Sequence, residues 1–168
     1  MGAATATTTL ITMAGLSTQQ QAQLQHILHD PLIGIVGTQD EFRQRLIEKE
    51  EVPESQVDEA ILEYRRFLGL ALVGYAELGM FSPIIDKVWH LHILCTKDYL
   101  AFCQEAFGRF VHHCPNFSVA QRDPGGFDHF RTIYEALYGH HLPSVWSSDQ
   151  NSCKKHCDVA NCSECKGA

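Results

Sequence analysis

Ser82-Pro83, followed by Asp86-Lys87-Val88-Trp89-His90-Leu91-His92, reads as the opening and body of a helix. A serine can accept a hydrogen bond from the first free backbone N–H groups, and proline suits the first helical position because its missing N–H would be unpaired there anyway. Downstream, Thr96 caps a second helix with the stripe Tyr99, Phe102, Cys103, Ala106, Phe107, Phe110 and Val111, the three- and four-residue spacing of a buried helical face. Upstream, Ser17 or Thr18 caps a first helix carrying Leu24, Ile27 and Leu28 and ending before Pro31. Thr38 starts another with Phe42, Leu46 and Ile47. Glu54-Ser55 then opens the longest helix, with Ile61, Tyr64, Leu68, Leu72 and Tyr75 on one face. Arg65 and Arg66 fall off that stripe. Asp123-Pro124 restarts a helix with Phe127, Phe130, Tyr134, Leu137 and Tyr138 inward and Gly139 as its stop. No run alternates with period two. The expected class is all-α, an irregular bundle of about six helices over residues 17–146, with a flexible tail at 1–16 and a flexible Cys-rich tail at 147–168.

Within the motif helix, Asp86 and His90 are four residues apart and share one face. His90 and His92 stand about 200° apart around the axis, so one unbroken helix does not aim both at one ion. Asp86 with His90 is therefore the better ligand or acid–base pair, and His92 supports it or bonds another helix. A second polar group, His112-His113-Cys114, ends the next helix. If the two helices form a hairpin joined at Cys95-Thr96, the end away from the joint carries both Asp86 and the 112–113 pair. That geometry builds a site from Asp86, His90 and His113 or His112. Two imidazoles and a carboxylate suit zinc or non-haem iron, with positions left for water or substrate. The same residues can also be a purely structural network in which the carboxylate fixes an imidazole. Trp89 and Tyr99 flank the motif as supporting, packing groups, and Cys95 and Cys103 read as core.

The pattern Asp86-x-x-Trp89-His90-x-His92-Ile93-Leu94-x-Thr96-x-x-Tyr99, then Phe102-Cys103, Phe107-Gly108 and His112-His113-x-Pro115, resembles the glycine-rich domain-containing protein-like family. The resemblance runs from about Val57 to Trp146 and includes Tyr64-Arg65-Arg66-Phe67-Leu68. The chain lacks the long glycine-rich tail of that family. The resemblance implies a helical domain with no assigned mechanism; in plants it implies stress-related and RNA-linked roles.

The formal net charge of the 168-residue chain is −7, which argues against a nucleic-acid partner, because phosphate neutralisation needs a basic stripe. The longest apolar stretch, Phe67 to Ala76, would cover only about 15 Å as a helix against roughly 30 Å of hydrocarbon. No membrane span is expected, and the N-terminus lacks the basic and apolar regions of a signal peptide. Cytoplasm is the expected compartment, where clustered thiols more often hold metals than bridges. In the last segment, Cys153-x3-Cys157-x4-Cys162-x2-Cys165 offers four thiolates, enough for a tetrahedral zinc site; two short disulfides are the alternative. Three functions follow from these residues: a metal-binding accessory or interaction module with a protein partner, a small metal-dependent hydrolase or oxygenase, and a structural interaction domain with a buried Asp–His network.

Overall fold

The computed structural model describes residues 12–75, 79–113 and 126–146, and among them holds six α-helices and no strand. These are α1 (Thr18–His29), α2 (Gln39–Glu48), α3 (Glu54–Gly69), α4 (Pro83–Leu94), α5 (Thr96–Phe107) and α6 (Gly126–Tyr138). The all-α expectation is met. Short 3-10 turns occupy Met13–Gly15, Leu70–Val73 and Ser144–Trp146. The four tail cysteines, Cys153, Cys157, Cys162 and Cys165, lie outside the described residues, as do Cys114 and Asp123-Pro124.

Several starts are fixed by the residues that predicted them. Ser17 with Gln20, and Thr38 with Glu41, form complete capping boxes in which each side chain pairs the other residue's backbone N–H. Ser82 accepts from the Ile85 N–H and donates to the Val145 carbonyl at 2.7 Å, so one hydroxyl both starts α4 and ties down the last 3-10 turn. For α5, Cys95 rather than Thr96 is the capping residue, and no side-chain cap bond is made.

Three departures from the expected pattern have local causes. The longest helix does not run on to Tyr75 but tightens to a 3-10 turn after Gly69. A Cβ at Gly69 would lie 2.8 Å from Leu24 Cδ1 and closer still to the Tyr138 hydroxyl; α1 and α6 press on α3 where it has no side chain. Arg65 does not face solvent. It is buried and donates to the Ile27 and Asp30 carbonyls, both at 2.8 Å, satisfying the C-terminal end of α1. Finally, α5 stops at Phe107, one turn before its apolar stripe ends, because Gly108 takes a left-handed backbone, φ 66°.

The core lies where α3 packs on α1, α2 and α4, with α5 against α1 and α4. Trp89, Trp146, Tyr64, Tyr99, Tyr134, Phe67 and Phe130 are all fully buried, and each contributes roughly 2–3 kcal/mol of apolar burial. Phe67 sits between the two indoles, 5.4 Å from Trp89 and 5.7 Å from Trp146. Buried Glu63 accepts from the Tyr134 hydroxyl and the Trp146 indole, both at 2.7 Å, and from Arg66 at 2.6 Å. That carboxylate clamps α6 and the last turn onto α3, with all of its bonds charge-assisted. Leu16, within the expected N-terminal tail, is buried in the same core.

Candidate metal centre

Helical spacing brings Asp86 and His90 to one face of α4, and the backbone after Gly108 delivers the third member. Tyr99 sets that delivery. Its hydroxyl receives the Trp89 indole N–H at 3.0 Å and donates to the Val111 carbonyl at 2.6 Å, pinning the outgoing chain to α4 and α5. From buried Val111 the chain presents successive side chains to opposite sides: His112 is exposed and His113 turns back against α4. Burial holds the Tyr99 phenol well above its ordinary pKa, so it serves here as a neutral hydrogen-bonding hinge.

His113 lies on the Trp89 indole with ring centroids 4.1 Å apart and planes 6° from parallel, and His90 stacks on its other side at 4.7 Å. Its Nε2 is 2.8 Å from Asp86 Oδ1 and 2.9 Å from His90 Nε2, while His90 Nε2 is 3.6 Å from Asp86 Oδ1. Donors held on one ion at about 2.0–2.2 Å stand roughly 3–3.5 Å from one another, and the three separations bracket that range, two slightly below it and one slightly above. The His90–His113 contact makes a poor hydrogen bond, because an imidazole donates and accepts in its own plane and these rings are near-parallel. The His90 side chain, 55% exposed, is the least confined of the three. The side chains of Asp86 and His113 are 30% and 15% exposed, so the cluster is anchored at His113 and open to water at His90. Among the described residues, Asp86, His90 and His113 form the one His/Cys/Asp/Glu group with metal-ligand proximity.

Two expected members are not brought to this place. His112 points out and packs on Phe110 instead, 4.8 Å between ring centroids. His92 is fully buried on the far side of α4, with Nδ1 2.9 Å from the Tyr64 hydroxyl and Nε2 2.8 Å from the Leu32 carbonyl. A carbonyl only accepts, so Nε2 carries the proton and Nδ1 accepts from Tyr64; neither nitrogen is left for an ion. Burial, offset in part by the Leu32 bond, pushes the His92 pKa down to about 4, so this imidazole is neutral and structural. Tyr64 moves the same way from burial, its phenol held well above the ordinary range. Arg65 had no signal in the local pattern, because its partners are remote in sequence, and Glu63 had only its i,i+3 spacing to Arg66. Cys103 is buried as expected, and Cys95 is half-buried.

The fold and cluster define a small helical domain with a two-histidine, one-carboxylate group on the face between α4 and the segment leaving α5. The chain belongs to the UCP032817-like family, whose model matches residues 36–137. That match replaces the glycine-rich domain-containing protein-like assignment drawn from the Trp89-His90-x-His92 pattern, and the roles implied by that resemblance go with it. The matched span takes in α2 to α5 and the whole Asp86–His90–His113 cluster, but not α1 or Trp146. No curated protein and no solved structure matches the chain. No helix among the described residues is long and apolar enough to cross a membrane.

Proposed function

We propose that this chain is a metal-binding helical accessory module whose resident ion, zinc or iron, is held by Asp86, His90 and His113. The observation that carries the reading is the convergence of three donor atoms, 2.8–3.6 Å apart, around an edge open to solvent. A purely structural Asp–His network would be expected in a dry interior, and here its outer histidine is more than half exposed. The open edge also leaves coordination positions for water, which suits the hydrolase or oxygenase reading. No further charged side chain is bonded into the cluster from the described residues, and His112 faces away. The module reading therefore stands first. The four tail cysteines are proposed as a separate, second metal site.

Elemental analysis of the purified chain tests both sites. The expected result is up to two ions per chain, with His90→Ala removing one and Cys162→Ala the other. Metal-free protein that takes up no zinc or iron when offered it, together with no effect of either substitution, overturns the reading.

A further inference from the structure

His113 is held in an uncommon way for a ligand. The imidazole of a metal ligand ordinarily donates from its second nitrogen to a carboxylate or carbonyl, which fixes the plane of the ring. Here Nε2 is the nitrogen turned to Asp86 and His90, and no group among the described residues bonds Nδ1. The plane is set instead by a contact of faces with the Trp89 indole, 4.1 Å away and 6° from parallel. Stacking fixes tilt but makes no directed bond, so it resists sliding only weakly. Two further things must therefore be fixed: the indole itself, and the backbone from which the His113 side chain departs.

Both are fixed by one oxygen. The Tyr99 hydroxyl has a single proton, which goes to the carbonyl of Val111, two residues before His113. A lone pair of the same oxygen takes the Trp89 indole N–H. The indole belongs to α4, the hydroxyl to α5 and the carbonyl to the chain leaving α5, so these two bonds join the elements that meet at the cluster. The Tyr99 ring is wedged in turn by His92 and Phe110, edge-on at 4.9 and 5.1 Å.

Tyr99→Phe would keep those ring contacts and remove only the oxygen. Trp89, Tyr99 and Val111 are all buried, so the change strands an indole N–H and a carbonyl in a dry interior. Relief comes from a shift of the indole or of residues 111–113. Each carries away a support of His113.

We propose that Tyr99 is the positioning residue of the cluster: acting through Trp89 and Val111, its hydroxyl holds His113 at Asp86 and His90 and so sets how tightly the three take an ion. The affinity half rests on the metal-binding reading above; the placement of His113 does not.

The test uses the full-length chain with Cys153, Cys157, Cys162 and Cys165 changed to serine as parent, the same chain with Tyr99→Phe, and a control with Glu63→Gln. The control alters a buried group whose partners, Tyr134, Trp146 and Arg66, lie outside the cluster. Calorimetric zinc affinity should fall about tenfold to a hundredfold in Tyr99→Phe and stay within about twofold of the parent in Glu63→Gln. With metal removed by a chelator, NMR should find the His113 ring protons shielded by the Trp89 indole in parent and control, and moved toward free histidine in Tyr99→Phe.

A further measurement needs no change at Tyr99 and decides the matter if Tyr99→Phe does not fold. If the Tyr99 bonds strengthen zinc binding, zinc must strengthen those bonds by the same factor. Zinc should then slow hydrogen exchange of the Trp89 indole N–H more than that of Trp146, which is bonded to Glu63 and serves as an internal reference. Unchanged zinc affinity in Tyr99→Phe, an equal loss in Glu63→Gln, or equal slowing at the two indoles overturns the positioning role and leaves the metal reading standing. No zinc uptake by the parent overturns the metal reading, and the metal-free ring protons then decide the placement of His113: moved in Tyr99→Phe they uphold it, unmoved they overturn it.

Discussion

His90 and His92 stand two residues apart on α4 and live in different solvents. His92 is sealed between α3, α5 and the 32–36 loop, with one nitrogen on Tyr64 and the other on Leu32. His90 stands at the edge beside Asp86 and His113, its side chain more than half in water. The helix repeat alone imposes this separation, since alternate residues face nearly opposite directions. The same imidazole is spent on stability on one face and left available for chemistry on the other. Whether a polar group's bonds are already satisfied, and not its type, decides which it does.

The largest expected effect is on the dry face. His92→Ala removes a buried ring and strands both the Tyr64 hydroxyl and the Leu32 carbonyl, so a loss of about 3–5 kcal/mol in urea unfolding is expected. A loss under about 1 kcal/mol would break the contrast between the two histidines.

Acid should probe the same site next. The folded-state pKa of His92 is about 4 against an ordinary 6.5. Below 6.5 the unfolded chain takes up a proton that the folded chain refuses. The stability His92 contributes is thus complete above pH 6.5 and declines as pH falls toward 4, by about 3 kcal/mol in total. Unfolding free energies measured across that interval should show the decline, and His92→Gln should flatten it.

A smaller loss, about 2 kcal/mol, is expected for Glu63→Gln, which keeps the shape but removes the charge accepting from Tyr134, Trp146 and Arg66. Thermal melts with tryptophan fluorescence would check it, since Trp146 reports directly on the clamp. An unchanged melting temperature would mean that dry polar groups here are less committed to stability than His92 suggests.

The helices were legible where their ends carry local chemistry: Ser17, Thr38, Ser82-Pro83 and Gly139 each sit where their side chains or backbone freedom predict. The end of α5 was misread because Phe110 and Val111 continue the helical spacing past Gly108, whose left-handed turn overrides it. Glu63 and Arg65 could not be placed from pattern alone. Apart from Arg66, three residues on, the partners of Glu63 lie 71 and 83 residues away, and those of Arg65 lie 38 and 35 away. In the cluster, the Asp86–His90 pairing followed from i, i+4 spacing, and the hairpin argument brought in the 112–113 pair. Choosing His113 over His112 depends on the course of the chain after Gly108, which exposes His112 and turns His113 back to α4. The opposite orientation of His92 was visible in the helix geometry; its two bonds, to α3 and to the 32–36 loop, were not.

The central claim is that the wet face of α4 binds an ion and the dry face does not. Calorimetric titration of zinc into a chain with Cys153, Cys157, Cys162 and Cys165 all changed to serine isolates that face. One ion per chain is expected, lost in His90→Ala and in His113→Ala, while His90→Ala costs less than about 1 kcal/mol of stability because its side chain is more than half exposed. Zinc uptake that survives both substitutions, or no uptake by the parent, would contradict the account.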